Sequence, residues 1–299
     1  MAASTSARPF DLIVLFIGVV AVSTSAVFIR QADAPSIVIA ASRMILATAP
    51  FLLIAGVRGD RLLSPNPMAR WLTFGTGLLL ALHFVVWIKS VQETSVVTSV
   101  VLVTTAPLFV ALASGPLLGE KPTRNVWIGL GIAAIGTLVM VSEDFGAGSD
   151  TLMGDLFALI GAVCAAGIFL AGRQVLSGGG DWFPFSTMTY SIAALVLAGL
   201  VLLSSESFSG YSDKTYVYLV LIALVPQVIG HTAINRTLGQ MPAFAVSLAV
   251  MGEPLGATLL AALLLDETPT ALQLAGGVIV LAGVYVGLRQ SAAPATLEV

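Results

Sequence analysis

Charged side chains are scarce in this chain. Only 10% of its 299 residues are Asp, Glu, Lys or Arg, whereas a water-soluble domain carries about 25%. With 57% hydrophobic residues and a mean hydropathy of +0.99, too few charges remain to cover a soluble fold. The net charge of −3 gives no basic footprint, which argues against nucleic acid as a partner. The single cysteine, Cys164, can form no intramolecular disulfide. Two histidines without His-Glu-x-x-His spacing offer weak support for a metal or nucleophile–base set, so no cofactor or metal is expected and a membrane-embedded enzyme is a minor alternative. Three further signals are missing: a cationic leader with a small-residue cleavage site, the alternating ten-residue segments of a membrane β-barrel, and the selectivity sequence of a channel.

What is abundant is apolar sequence in runs of roughly 20 residues, the length that crosses the hydrocarbon core as a helix. Ten spans are predicted, at about 11–29, 36–57, 70–91, 95–118, 125–142, 152–173, 182–204, 215–236, 243–265 and 270–288. Turn chemistry separates them, as in "RGDRLLSPNP", "GEKPTR", "SGGGD", "GQMP" and "DETP". The fold class is therefore all-α integral membrane. Lys and Arg set the orientation. With a cytoplasmic N-terminus, Arg8, Arg58, Arg61, Arg70, Lys121, Arg124, Arg173, Arg236 and Arg289 lie inside; only Arg30, Lys89 and Lys214 lie outside. The acidic loop "SEDFGAGSD" suits the outer side, and both termini are expected in the cytoplasm.

The chain repeats its punctuation. "LLGEKPTRN" at 117–125 aligns with "LLLDETPTA" at 264–272 at a shift of 147, matching Glu120 to Glu267 and Pro122 to Pro269. The same shift pairs Pro107 with Pro254, Gly129 with Gly276 and Gly136 with Gly283; a shift of 143 pairs Gly18 with Gly161 and Arg30 with Arg173. Two repeats follow, 1–146 and 147–299, with five spans each. An odd number of spans makes the second repeat enter from the opposite side, an inverted-topology repeat of the kind found in many secondary transporters.

Ten spans in this five-plus-five arrangement, with "P…LLGEKPT…G" and "P…LLLDETPT…G" closing the two halves, resemble the drug/metabolite transporter superfamily, and within it the EamA family, nearest to a bacterial amino-acid exporter. The resemblance implies a basket of spans 1–4 and 6–9 around a central cavity, with spans 5 and 10 peripheral. It also implies a multi-pass protein of the bacterial plasma membrane that exports neutral, often aromatic or hydrophobic, amino acids by alternating access.

Polar groups within spans are costly and are the first functional candidates. His83 and Trp87, four apart in span 3, share a helix face, as do His231 and Asn235 in span 8; an imidazole can bond a ligand's amine or carboxylate and an indole can wall it. Trp87 could instead belong to an interfacial aromatic belt. Glu253 sits midway along span 9, directly before Pro254. Its charged form costs about 2.5–3.5 kcal/mol at that depth, so it can take up a proton or bind a substrate amine. Pro107 and Pro254 are expected to kink their helices and shape the bundle. Arg43 in span 2 could contact a carboxylate, pair with a buried acid or snorkel. Ser23, in "STS", would give span 1 a polar lining patch. Cys164 is expected in packing, Gly283 and Gly287 at a close helix contact, and Glu120 and Glu267 at helix ends. A phosphorylated substrate would call for clustered Lys and Arg, and only Arg43 lies within a span. The expected substrate is a small neutral or zwitterionic metabolite, with organic-cation drugs as the alternative.

Overall fold

Spans begin and end where the turn residues sit. The computed structural model describes residues 8–94, 96–142, 152–264 and 268–289. Gly59 and Gly119 end spans 2 and 4 at φ 67° and 69°, a left-handed conformation that side chains resist. Asn66 and Asp181 cap spans 3 and 7 by accepting from the backbone N–H of Met68 and Phe183, and Thr270 with Gln273 forms a capping box on span 10. The spans are Pro9–Gln31, Ser36–Arg58, Pro67–Glu93, Thr98–Leu118, Arg124–Val141, Leu152–Ser177, Trp182–Leu203, Asp213–Leu238, Ala243–Leu264 and Ala271–Leu288. No strand occurs among the described residues. Large apolar side chains such as Leu53, Leu195, Leu202 and Leu263 point outward. That arrangement fits a lipid surround and no aqueous one.

The internal repeat is visible in helix geometry. Span 5 (Arg124–Val141) and span 10 (Ala271–Leu288) start and stop 147 residues apart. Span 4 is split into Val96–Val103 and Ala106–Leu118, and span 9 into Ala243–Val250 and Glu253–Leu264. Each first segment ends four residues before Pro107 or Pro254, at the residue whose carbonyl a proline cannot serve. Packing follows the same correspondence. Span 3 packs on span 6 as span 8 packs on span 1; span 4 packs on 6 as 9 packs on 1; spans 2 and 7 meet, and so do 5 and 10. With five spans in each half, the second half is inverted relative to the first.

Spans 5 and 10 cross through glycine. A Cβ placed on Gly129 would lie 2.5 Å from the Gly283 carbonyl oxygen and 2.8 Å from Gly287 Cα; one on Gly136 would lie 2.6 Å from the Gly276 carbonyl oxygen. These obstacles are backbone and cannot swing aside. Gly129→Leu is expected to destabilise the protein by about 3 kcal/mol or more, above the usual overpacking range. Thermal unfolding in detergent checks this; a melting temperature equal to the parent's would show that the crossing tolerates bulk.

Two spans depart from simple helix. Span 1 breaks at Thr24, whose side chain and backbone N–H both bond back to the Ala21 carbonyl. Span 8 contains a π-helical stretch, Ala223–His231, around Pro226. The proline removes a donor and crowds the preceding turn, and π-wound segments recur at functional sites.

Candidate functional site

Kinks and breaks converge on one central cavity of about 80 Å³. Spans 1, 3, 4, 6, 8 and 9 line it; spans 2 and 7 stand one layer behind, and spans 5 and 10 contribute nothing. The basket read from the sequence thus has six walls rather than eight, because spans 2 and 7 pack on each other and present their polar groups to the backs of neighbouring helices. The volume is below the roughly 300–1,000 Å³ of a ligand-sized pocket, so accepting a metabolite requires the helices to part.

The structure brings His83, Trp87, His231, Asn235 and Glu253 together on the cavity wall. Trp87 is 4% exposed, so the interfacial-belt alternative does not apply. The His83 and Trp87 rings stack with centroids 5.9 Å apart, as their four-residue spacing requires. His83 Nδ1 donates to the Gly161 carbonyl at 2.9 Å. Since a carbonyl only accepts, Nδ1 carries hydrogen and Nε2 is the ring's other polar atom. His231 packs edge-on to Phe84 at 5.6 Å. Asn235 donates to Ser186 Oγ at 3.1 Å and more weakly to the Tyr190 hydroxyl at 3.4 Å. The indole N–H of Trp87 is buried without a partner among the described residues.

Glu253 opens the second segment of span 9 and is 8% exposed. No hydrogen bond or ion pair of the described residues involves its carboxyl. It faces a cavity in which aliphatic side chains and Phe169 alternate with Ser25, Thr104, Ser247, Asn235 and the two histidines. Ala106, its counterpart in the first half, lines the same cavity, so the carboxyl breaks the symmetry. Pro107 also borders the cavity, beyond the bundle-shaping role read from the sequence, while Pro254 is buried outside the lining.

Arg43 and Ser23 are placed differently from the others. Arg43 is fully buried behind the wall. Its Nε donates to Gln227 Oε1 at 2.7 Å, its Nη1 donates to Ser25 Oγ at 2.8 Å, and its guanidinium lies 4.0 Å from the Phe84 ring centre. Nη2 has no partner among the described residues. Ser23 lies outside the lining, bonded to the Val19 carbonyl at 2.8 Å and packed against Gly256. The break at Thr24 turns Ser25 to the cavity instead. Gln227 and Tyr190 went unnoticed in the sequence. The signal for Gln227 was available: a polar residue beside Pro226 in mid-span, the same pattern that marks Glu253 beside Pro254.

At the end of the bundle where spans 4, 6 and 8 finish, Glu120 joins four spans. Its Oε1 accepts from Arg173 Nε at 2.6 Å and its Oε2 accepts from the Ala243 N–H at 3.1 Å; Arg173 Nη1 donates to the Leu238 carbonyl at 2.8 Å. Glu120 thus caps the start of span 9 rather than its own helix. Leu238 is also a cavity wall residue, so this cluster adjoins one end of the cavity. Arg30, the counterpart of Arg173, reaches the Thr94 carbonyl at 3.4 Å at the opposite end; Glu267 lies outside the described residues. Cys164 is buried in packing.

Among known proteins, the family model of EamA-like transporters matches twice, over residues 10–142 and 152–289. An uncharacterized transporter of Archaeoglobus fulgidus is 22% identical across 92% of this chain and 95% of its own. The uncharacterized transporter YdfC of Bacillus subtilis is 31% identical over 61% of this chain, a match spanning 59% of YdfC. A probable amino-acid metabolite efflux pump of Salmonella typhimurium is 25% identical over 62% of this chain and 66% of its own. One crystal structure superposes with a TM-score of 0.78 at 17% identity, covering 94% of this chain and 98% of that one, and speaks to the fold alone. Matched over both halves, this multi-pass membrane protein belongs to the EamA-like transporter family.

Proposed function

We propose that the protein is a secondary exporter of small zwitterionic metabolites, above all neutral and aromatic amino acids, working by alternating access through the central cavity. Repeats 1–146 and 147–299 are the two moving halves, set in a bacterial plasma membrane with both termini cytoplasmic, as the Lys/Arg asymmetry favours. The observation that carries the reading is the unpartnered Glu253 carboxyl in a cavity whose opposite chemistry is supplied by Arg43. Ser25 Oγ accepts from Arg43 Nη1, which leaves the Ser25 hydroxyl hydrogen to donate inward to a carboxylate beneath a positive field. An ammonium would meet Glu253, and the Trp87–His83 stack would wall an apolar side chain. Two similar pumps, in Salmonella typhimurium and Escherichia coli, are described as probable amino-acid metabolite efflux pumps, which points the same way. Organic-cation efflux is the second reading, since one carboxyl in such a cavity also suits a cation.

Proteoliposomes discriminate the two. Labelled phenylalanine should exchange saturably. Its methyl ester and its deaminated analogue should compete at least tenfold less well. Organic cations competing as well as phenylalanine, with no loss on esterification, would establish the drug reading instead. Trp87→Ala should lower phenylalanine flux roughly tenfold, the effect of losing about 1.4 kcal/mol of wall contact, with a smaller effect on alanine. Equal effects on both substrates would remove Trp87 from the side-chain pocket.

A further inference from the structure

A second and larger concavity, of about 750 Å³, lies away from the central cavity, at the end of the bundle where span 2 stops, span 3 starts, span 6 stops and span 7 starts. The sequence builds it from two contrasting linkers. "SGGGD" forms one rim, where Gly179 takes φ 93° and neither it nor Gly180 projects a side chain. "RLLSPNP" forms the other, stiffened by its prolines. Phe74, Met188 and Ile192 give it an apolar lining, joined by the exposed Trp71. Arg61 and Arg70 belong to its lining.

These two arginines are unlike their neighbours. Arg58 is engaged by Asp60 at 3.2 Å and by the Phe183 ring at 4.9 Å. No ion pair of the described residues involves Arg61 or Arg70. The carboxylate on the rim, Asp181, is committed to capping span 7 through Phe183 N–H. A cleft with an apolar lining, an exposed tryptophan and two unneutralised guanidinium groups at span ends sits at headgroup depth in any bilayer that these spans cross.

We propose that this cleft binds an anionic phospholipid. Its phosphate sits between Arg61 and Arg70, and the upper part of one acyl chain lies on Phe74, Met188 and Ile192. Guanidinium groups suit this task because their planar donors grip phosphate oxygens in pairs. The site shares no lining residue with the central cavity, so it stands apart from the transport reading and succeeds or fails without it.

Thermal unfolding and native mass spectrometry of the purified protein in nanodiscs test it, with phosphatidylcholine alone compared with phosphatidylcholine plus phosphatidylglycerol. The wild type should melt higher in the mixture and retain phosphatidylglycerol over phosphatidylcholine on the order of thirtyfold, as expected for two arginines at a membrane surface. Arg61→Gln/Arg70→Gln should lose both effects, while Arg61→Lys/Arg70→Lys should keep most of the retention and show that the fold survives change at these positions. Equal melting and retention of the two lipids by the wild type would overturn the proposal. So would undiminished retention in the glutamine variant, or full reproduction of the melting shift by inorganic phosphate in phosphatidylcholine discs.

Discussion

Glu253→Gln should cut transport severely in a protein that still inserts and folds. The substitution preserves shape and removes the one carboxyl in the cavity lining. In the loaded state that carboxyl faces the substrate ammonium, a charge-assisted contact worth about 1.5–3 kcal/mol, so its loss costs about tenfold to a hundredfold in flux. In the empty state the carboxylate has no hydrogen bond or ion pair among the described residues, with Arg43 acting on it only through its field, and a proton can take the place of the substrate ammonium. Substrate and proton then compete for one oxygen pair, which couples their movements in opposite directions. Wild-type exchange should vary with pH, and Glu253→Gln, neutral at every pH, should show a flat profile on whatever flux remains. The measurement is counterflow of labelled phenylalanine in proteoliposomes across a pH series. Parental rate and parental pH profile in the purified variant would make Glu253 a structural residue.

Glu120→Gln should open one end of the cavity. Glu120 and Arg173 are mostly buried, with 18% and 14% of their side chains exposed, so solvent weakens their pairing less than it would on the surface. The carboxylate also holds the first N–H of span 9, while Arg173 holds the last carbonyl of span 8. Losing the carboxylate weakens a link among spans 4, 6, 8 and 9 at that end. On a Cys164→Ala background, Leu238→Cys should react with a membrane-impermeant thiol reagent about tenfold faster once Glu120→Gln is added, as expected for a charge-assisted bond of 1.5 kcal/mol or more. Net transport should fall, since the open form is favoured at the expense of its alternate. An unchanged labelling rate would show that the cluster is a helix cap without a gating role.

Much of this was legible in the sequence because it depends on local spacing. His83 with Trp87 and His231 with Asn235 could be assigned to common faces, and Glu253 stood out as a carboxyl in an apolar run. The shift of 147 read from prolines and glycines is the shift at which spans 5 and 10 start and stop. What remained hidden depends on how separate helices meet. Arg43 could be placed in span 2, but its partners are 18 and 184 residues away. Glu120 was expected in a helix-end or hinge role, and its partners, Arg173 and the Ala243 N–H, are 53 and 123 residues distant. Ser23 and Ser25 were indistinguishable until the break at Thr24 turned one to the wall and the other to Gly256. The π-winding of span 8 follows from Pro226 in a setting that only packing defines.

The glycine crossing of spans 5 and 10 has a geometric consequence for how such a molecule can move. If the two halves exchange shapes during a cycle, a contact between non-corresponding spans is replaced by its mate: the span 3–6 surface takes the form of the span 8–1 surface, and the reverse. Contacts between corresponding spans, 2 with 7 and 5 with 10, map onto themselves. The approach of Gly129 to Gly283 is of the second kind. Substituting corresponding residues turns it into Gly276 against Gly136, a contact already present a turn or two along the same seam. The seam is therefore its own mate and keeps one form throughout the exchange. Placed outside the cavity, it can act as a stationary pivot for the spans that rearrange around the cavity. Substrate preference can then drift through changes in the cavity walls while this pivot stays as it is.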